Sequence, residues 1–452
     1  MAVFLLHGSS TVLLGVLRAA LLGMGVVLAL GWSALAAAPA VPRPPAELSV
    51  TSNTAQATFP DEILFQLIAS DPVGTIERVR LLYSLDDSPV LQEASPTFRP
   101  GRTIAAEFRW PVRQVLVPGS EISYYWTVET TSGNRWTTEP QQITFDDTRF
   151  DWRKTTDGFI TLYSYAPGES AGQALLQKAR QLLDLLGQEY SLTLEKQVKV
   201  FVYADQQDFV TALSPLQQVV SPGLTIGTDR IFMLLTGQPE ADTQTIRHEI
   251  LHAVFLQHTR NPFNDPPRWL TEGFSVFLSG DDLGPESIDA LRQLESEGRL
   301  FSLKSLNGSF PSTEQELTIA YVESYSALRY IIEEFGAGKL TLLLSAIREG
   351  NTTDDAFRQA LGLTVDELDQ RWRRALRLGA QSRSSTAPRA SLSSDAEEAE
   401  EGVVARTVGF WSRFLGPLTR PVLIGLAAAA GIVIVIGVGS SLRRRDPSEN
   451  DD

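Results

Sequence analysis

Three of the chain's four histidines fall in one stretch, TIRHEILHAVFLQHTRNPFNDPPRWLTEGF, from Thr245 to Phe274. His248 and His252 bracket Glu249 in an H-E-x-x-H pattern, His258 follows six residues later, and Glu272 sits in W-L-T-E-G. Residues four apart on a helix project from one face, so His248 and His252 can offer two imidazole nitrogens at about 2 Å to a single zinc ion. Glu249, the next residue along from His248, can reach a water on that ion without ligating it. Zinc lowers the pKa of such a water toward about 7, and the glutamate accepts its proton as the water attacks a carbonyl.

The third ligand is either His258 or Glu272. His258 has the spacing of an H-E-x-x-H-x-x-G-x-x-H site, but Phe255 stands where the helix-ending glycine belongs. If the helix continues, His258 lies about 9 Å along the axis from His252 and cannot share the ion. No methionine follows the motif to form the turn such sites use; Met1, Met24 and Met233 all precede it. Glu272 lies 20 residues beyond His252 among Trp269, Leu270 and Phe274, and a carboxylate in apolar surroundings needs a partner. A second helix packed on the first delivers it to the metal, giving a His248, His252, Glu272 set with water in the fourth position. Tyr321 and Tyr325 are candidate oxyanion stabilisers, with Arg268 a weaker one.

These residues need a scaffold. From Glu47 to Phe145 short alternating runs (ILFQLIAS, IERVRLLYSL, TIAAEFRWPV, EISYYWTVET) separated by turn residues predict an antiparallel β-sandwich over 45–148. From Trp152 the period changes. A helix is expected over Ser170–Tyr190, then strands in QVKVFVYA and LTIGTDRIFMLL, then the H-E-x-x-H helix capped by Asp242 or Thr243. A second metal helix follows over Pro267–Ser279 with Asp265 as its cap, and further helices over Tyr321–Phe335, Lys339–Glu349 and Val365–Leu378. A few strands followed by many helices make an α+β domain over 152–379.

The chain ends bear on location. Residues 1–38 read as a signal peptide, with an apolar run from Val12 to Leu35 leading into ALAAAPA, an uncleaved anchor being the alternative because almost no positive charge precedes the run. Residues 380–408 have the Ser-rich and acidic composition of a linker, and residues 421–442 are uncharged and long enough for a transmembrane helix. Arg443, Arg444 and Arg445 put the 443–452 tail on the cytoplasmic side, leaving the folded part outside the cell membrane. A formal charge of -15 excludes general nucleic-acid binding, and the lack of cysteine excludes disulfides and thiolate chemistry.

H-E-x-x-H followed after about twenty residues by W-L-x-E-G resembles the gluzincin metallopeptidases, typified by thermolysin, and among them the bacterial peptidase MA-like proteins. The later AYVESYSALRYIIEEFGAGKLTLLLSAIREG and LGLTVDELDQRWRRAL resemble the helical tail of the same proteins. The resemblance implies a zincin-like fold and a protein or peptide substrate held by a strand edge in LTIGTDRIFMLL. Thermolysin-type enzymes have an aspartate shortly after the ligand glutamate to orient a histidine, where EGFSVFL offers only Ser275. GSEISYYWTVETTSGNRWTTEP similarly resembles a fibronectin type III or immunoglobulin-like hairpin. The alternative readings are a catalytically silent scaffold of the same fold and an adhesion protein acting through the sandwich.

Overall fold

The computed structural model describes residues 48–384, apart from 87, 113–114, 166–167, 215–220 and 281–282. The expected signal peptide, most of the linker, the 421–442 span and the tail lie outside the described residues. Among the described residues no helix is long and apolar enough to cross a membrane.

Eight strands come first. β1 (Ser49–Thr58), β2 (Glu62–Ser70) and β5 (Thr103–Pro111) form one antiparallel sheet. β3 (Ile76–Leu85), β4 (Gln92–Ala94), β6 (Ser120–Thr130), β7 (Arg135–Thr137) and β8 (Gln141–Phe145) form the other, with β7 and β8 both pairing β6. Period-two burial drives the pairing: Ile63, Phe65, Leu67 and Ala69 of β2 face inward, as do Ile122, Tyr124, Trp126 and Val128 of β6. Trp126 Nε1 donates to Asn53 Oδ1 at 2.9 Å, satisfying the buried indole across the two sheets.

A third sheet of five strands follows, in the order β12 (Gly223–Ile226), β13 (Arg230–Leu234), β11 (Val198–Tyr203), β10 (Ile160–Ser164), β9 (Arg153–Asp157). The central three are parallel and the two outer strands antiparallel. Alternation here sends side chains into two different cores. Val198, Val200 and Val202 of β11 and Ile231 and Met233 of β13 pack beneath the helices. Phe201, Tyr203 and Phe232 point the other way and share one continuous core with Phe65, Trp126 and Phe145 of the sandwich. The connection between them is also packed, with Trp152 lying 5.8 Å from the ring of Phe201 and 5.3 Å from that of Tyr203. The central sheet is thus covered on one face by helices and on the other by the sandwich.

The helices are α1 (Glu169–Tyr190), α2 (Gln206–Ala212), α3 (Pro239–Thr259), α4 (Arg268–Leu278), α5 (Gly284–Ser296), α6 (Glu314–Phe335), α7 (Ala337–Arg348), α8 (Thr353–Leu361) and α9 (Val365–Ser384). Several differ from expectation. α3 starts at Pro239 rather than at Asp242 or Thr243, because proline suits the first helical position. Asp242 instead accepts from the Thr236 backbone N–H and hydroxyl. α4 begins after Pro267 with no side-chain cap, so Asp265 does not cap it. The β9–β10 hairpin, α2, α5 and α8 were not expected; they are short or polar-faced and gain their order from packing. α9 continues to Ser384, past the expected boundary at 379, where Ala380, Gln381 and Arg383 are residues that favour a helix.

Behind the helical layer, Glu323 of α6 is fully buried; its Oε1 accepts from Phe301 N at 2.9 Å and its Oε2 has no hydrogen-bond partner. Burial raises its pKa from the ordinary 4.5 to about 8, against the opposing pull of that hydrogen bond and of Arg373. Because the folded value lies above the unfolded one, the protonated carboxyl contributes stability fully below pH 4.5, and that contribution is lost as pH rises toward 8. Glu323→Gln, uncharged throughout, is expected to melt with the wild type at the acid end of this range and above it at the alkaline end. Scanning calorimetry across the range checks this, and parallel melting curves contradict it.

Candidate metal centre

α3 runs unbroken through the H-E-x-x-H motif because its interior holds no glycine or proline and every residue from His248 to Gln257 is buried. A helix buried all round has neighbours on all sides, so its polar residues must find partners inside the protein. His248 and His252 lie one turn apart with their Nε2 atoms 3.0 Å from each other. α4 packs across them and places Glu272 Oε2 at 3.7 Å from His248 Nε2 and 3.5 Å from His252 Nε2. That oxygen is buried without a hydrogen-bond partner.

Three ligand-type atoms, one from each residue, lie within 4.8 Å of one another, and all three residues are buried. Two imidazole nitrogens and a carboxylate oxygen turned toward a common point are the donor set of a tetrahedral zinc site with one open position. The orphaned Glu272 oxygen is the observation that makes the fit specific, since a cation at that point gives it the partner it otherwise lacks. The chain therefore has the residues to hold zinc.

Electrostatics follow from burial and from the mutual charges. Burial, followed by the neighbouring His252, pushes His248 down to about 3, keeping its imidazole neutral. Burial also opposes charge on His252, but Glu272 outweighs it and the net shift is upward. Glu272 is likewise penalised by burial, yet His252 and Arg268 hold it below the ordinary carboxylate range. Arg268 Nε lies 3.7 Å from Glu272 Oε1, and its guanidinium is stacked over Phe310 at 4.8 Å. Burial raises Glu249 above its usual value.

Three features have little or no signal in the sequence. Thr225 of the edge strand β12 donates to Glu249 Oε2 at 2.6 Å and lies 3.0 Å from the Glu249 backbone oxygen. Gly223, two residues earlier, lets that strand approach α3, since a Cβ there would meet Thr245 and would lie 2.9 Å from Glu249 Oε1. The only available hint was alternation, which sets Gly223 and Thr225 on the face opposite Leu224 and Ile226. Ser275, one turn beyond Thr271 on α4, sits with its Oγ 3.1 Å from His252 Nδ1. It occupies the orienting place for which the sequence offered no aspartate.

The remaining candidates divide. His258 is held at the end of α3, with Nε2 2.8 Å from Thr193 O and Nδ1 3.6 Å from Glu195. Tyr321 of α6 is buried, its ring edge-on to Phe310 at 5.2 Å, and burial and the charge of Glu272 raise its hydroxyl well above the ordinary pKa. Tyr325, one turn on, is buried with its ring 5.4 Å from Phe277. α4 and α6 come this close because residue 273 is glycine; a Cβ there would collide with the Ser324 carbonyl.

Residues 178–378 match the Peptidase MA superfamily. The match covers α3, α4 and the helices after them, so the buried His, His, Glu group lies within the residues that resemble this superfamily. No curated protein matches the chain. Among solved structures, the purple acid phosphatase PPD1 from seeds of yellow lupin (Lupinus luteus) is similar at 11% identity, over 42% of this chain and 39% of that chain, with a TM-score of 0.17.

With zinc on Nε2, His252 Nδ1 would carry the ring proton and donate it to Ser275 Oγ, 3.1 Å away, which would hold the ring in the ligating tautomer. Ser275→Ala is expected to weaken zinc binding by about 10- to 100-fold while leaving the fold intact. Titration against a chromophoric chelator measures this, and an unchanged zinc affinity would remove Ser275 from the site.

Proposed function

We propose that the chain is a zinc-dependent peptidase, tethered to the cell membrane, with its catalytic domain on the outer side. The observation that carries this reading is the convergence of His248, His252 and Glu272 on one point, with Glu249 between the two histidines on α3. Zinc bound there supplies Lewis acidity, acidifying a water and polarising a substrate carbonyl.

The protein's own groups do the rest. Glu249 takes the proton from the attacking water and returns it to the leaving amine. Thr225 engages Oε2, which leaves Oε1 as the oxygen for proton transfer. Burial raises the Glu249 pKa, which suits a group that must hold a proton and then release it. Tyr321 is the favoured oxyanion donor, because burial keeps its hydroxyl protonated beside Glu272, with Tyr325 the alternative.

β12 is an edge strand of its sheet among the described residues, and its Gly223 and Thr225 face the catalytic helix. An extended peptide pairing with that edge lies along the Glu249 side of the site, which favours a protein or peptide substrate. The membrane tether and outward orientation rest on the sequence of residues 421–445 alone.

A silent scaffold of the same fold would keep the metal and need no base. The two readings part on one pair of variants. Glu249→Gln is expected to bind zinc as the wild type does and to lose hydrolysis of labelled casein by at least about 100-fold. Glu272→Ala is expected to lose zinc itself, seen as metal content after dialysis. Near-normal turnover in Glu249→Gln defeats the mechanism.

A further inference from the structure

The sandwich is joined to the central sheet by more than a linker. β12 has two faces. Gly223 and Thr225 look onto α3, where Thr225 holds Glu249. Ile226 is buried in the sandwich's core, and Leu224 packs against that core from the same face. A four-residue strand that among the described residues is joined to its sheet on one side only has little order of its own. Its position is set by what presses on its two faces, and one of these is the sandwich.

Polar contacts pin the hairpin at its turn. Arg230, the first residue of β13, is almost fully buried, with its side chain 5% exposed. Its Nη1 donates to Ser120 Oγ at 2.7 Å and its Nη2 to Asp86 Oδ2 at 2.6 Å, and both partners belong to the sandwich. On the neighbouring strand β11, Lys199 Nζ donates to Glu121 Oε1 at 2.6 Å and to the Gly119 carbonyl at 3.3 Å. The Arg230 bonds are the ones that fix register, because that guanidinium is buried and breaking its contacts strands a charge inside the protein.

We infer that the sandwich is a positioning element of the catalytic unit: through Arg230 and the core under Leu224 and Ile226 it holds the edge strand at the distance from Glu249 that substrate pairing requires. This rests on the peptidase reading for its consequence in catalysis, though not for the coupling itself. The metal ligands sit on α3 and α4, away from this contact, so the sandwich acts on substrate alignment and not on zinc.

The test uses the full-length protein in detergent with two variants, Arg230→Met and the milder Asp86→Asn. Hydrogen–deuterium exchange is followed over segments 222–227 and 245–256, alongside zinc affinity by chelator competition. Exchange of 222–227 is expected to rise about tenfold in Arg230→Met and by less in Asp86→Asn, with 245–256 and the zinc affinity unchanged. With labelled casein, KM should rise several-fold more than kcat falls, the mark of lost alignment and not of lost chemistry. Wild-type exchange over 222–227 in a folded variant overturns the inference, as does a fall in kcat alone. If the wild type cleaves no casein, the peptidase reading loses its support while the exchange result still decides the coupling. If Arg230→Met does not fold, Asp86→Asn decides it, because that change keeps the side chain's shape while removing its charge and one of its two acceptor oxygens.

Discussion

A carboxylate 1% exposed, among aromatic and aliphatic side chains, is the constraint around which the helical layer is arranged. Glu272 keeps its charge only because His252, His248 and Arg268 stand within reach. Isolated, it would protonate and lose its use as a ligand. Meeting that requirement brings α4 across α3 and α6 against α4, with Gly273 removing the side chain that would hold the last two apart. Tyr321, Phe310 and Ser275 then fall around the ligands as consequences of the same packing.

The second constraint comes from the opposite side of the central sheet. Alternation within β11 and β13 gives the sheet two apolar faces, and a sheet with two apolar faces must be covered twice. Helices cover one face and the sandwich covers the other, with Phe201, Tyr203 and Phe232 continuing the sandwich's own core. The edge strand β12 is caught between these layers. The strand that faces Glu249 is therefore pressed from its other side by a domain some hundred residues earlier in the chain.

The sequence was most legible where spacing carries chemistry. His248, Glu249 and His252 are recognisable because two histidines four apart on a helix can meet one ion, in a chain with four histidines in all. Glu272 could be singled out over His258 because α3 has no residue to break it before Thr259, and because a glutamate among large apolar residues must have a partner. The strands of the sandwich were readable from alternation. The short α2 and α8 and the polar-faced α5 were not, since their order comes from neighbours distant in sequence. The start of α3 was misplaced because Asp242 has the chemistry of a cap but spends it on the preceding loop at Thr236.

By itself, then, the sequence singled out His248, Glu249, His252 and Glu272, the helix that carries the first three and the alternation of the strands, all of which depend on residues close together in the chain. Only the tertiary structure decided that Thr225 holds Glu249, that Ser275 faces His252, that Tyr321 lies beside Glu272 and that Arg230 reaches into the sandwich. Each of these joins residues at least 23 positions apart, and for Arg230 and Asp86 the separation is 144. Contacts across such distances are selected by how whole layers pack against one another, and no local pattern encodes that.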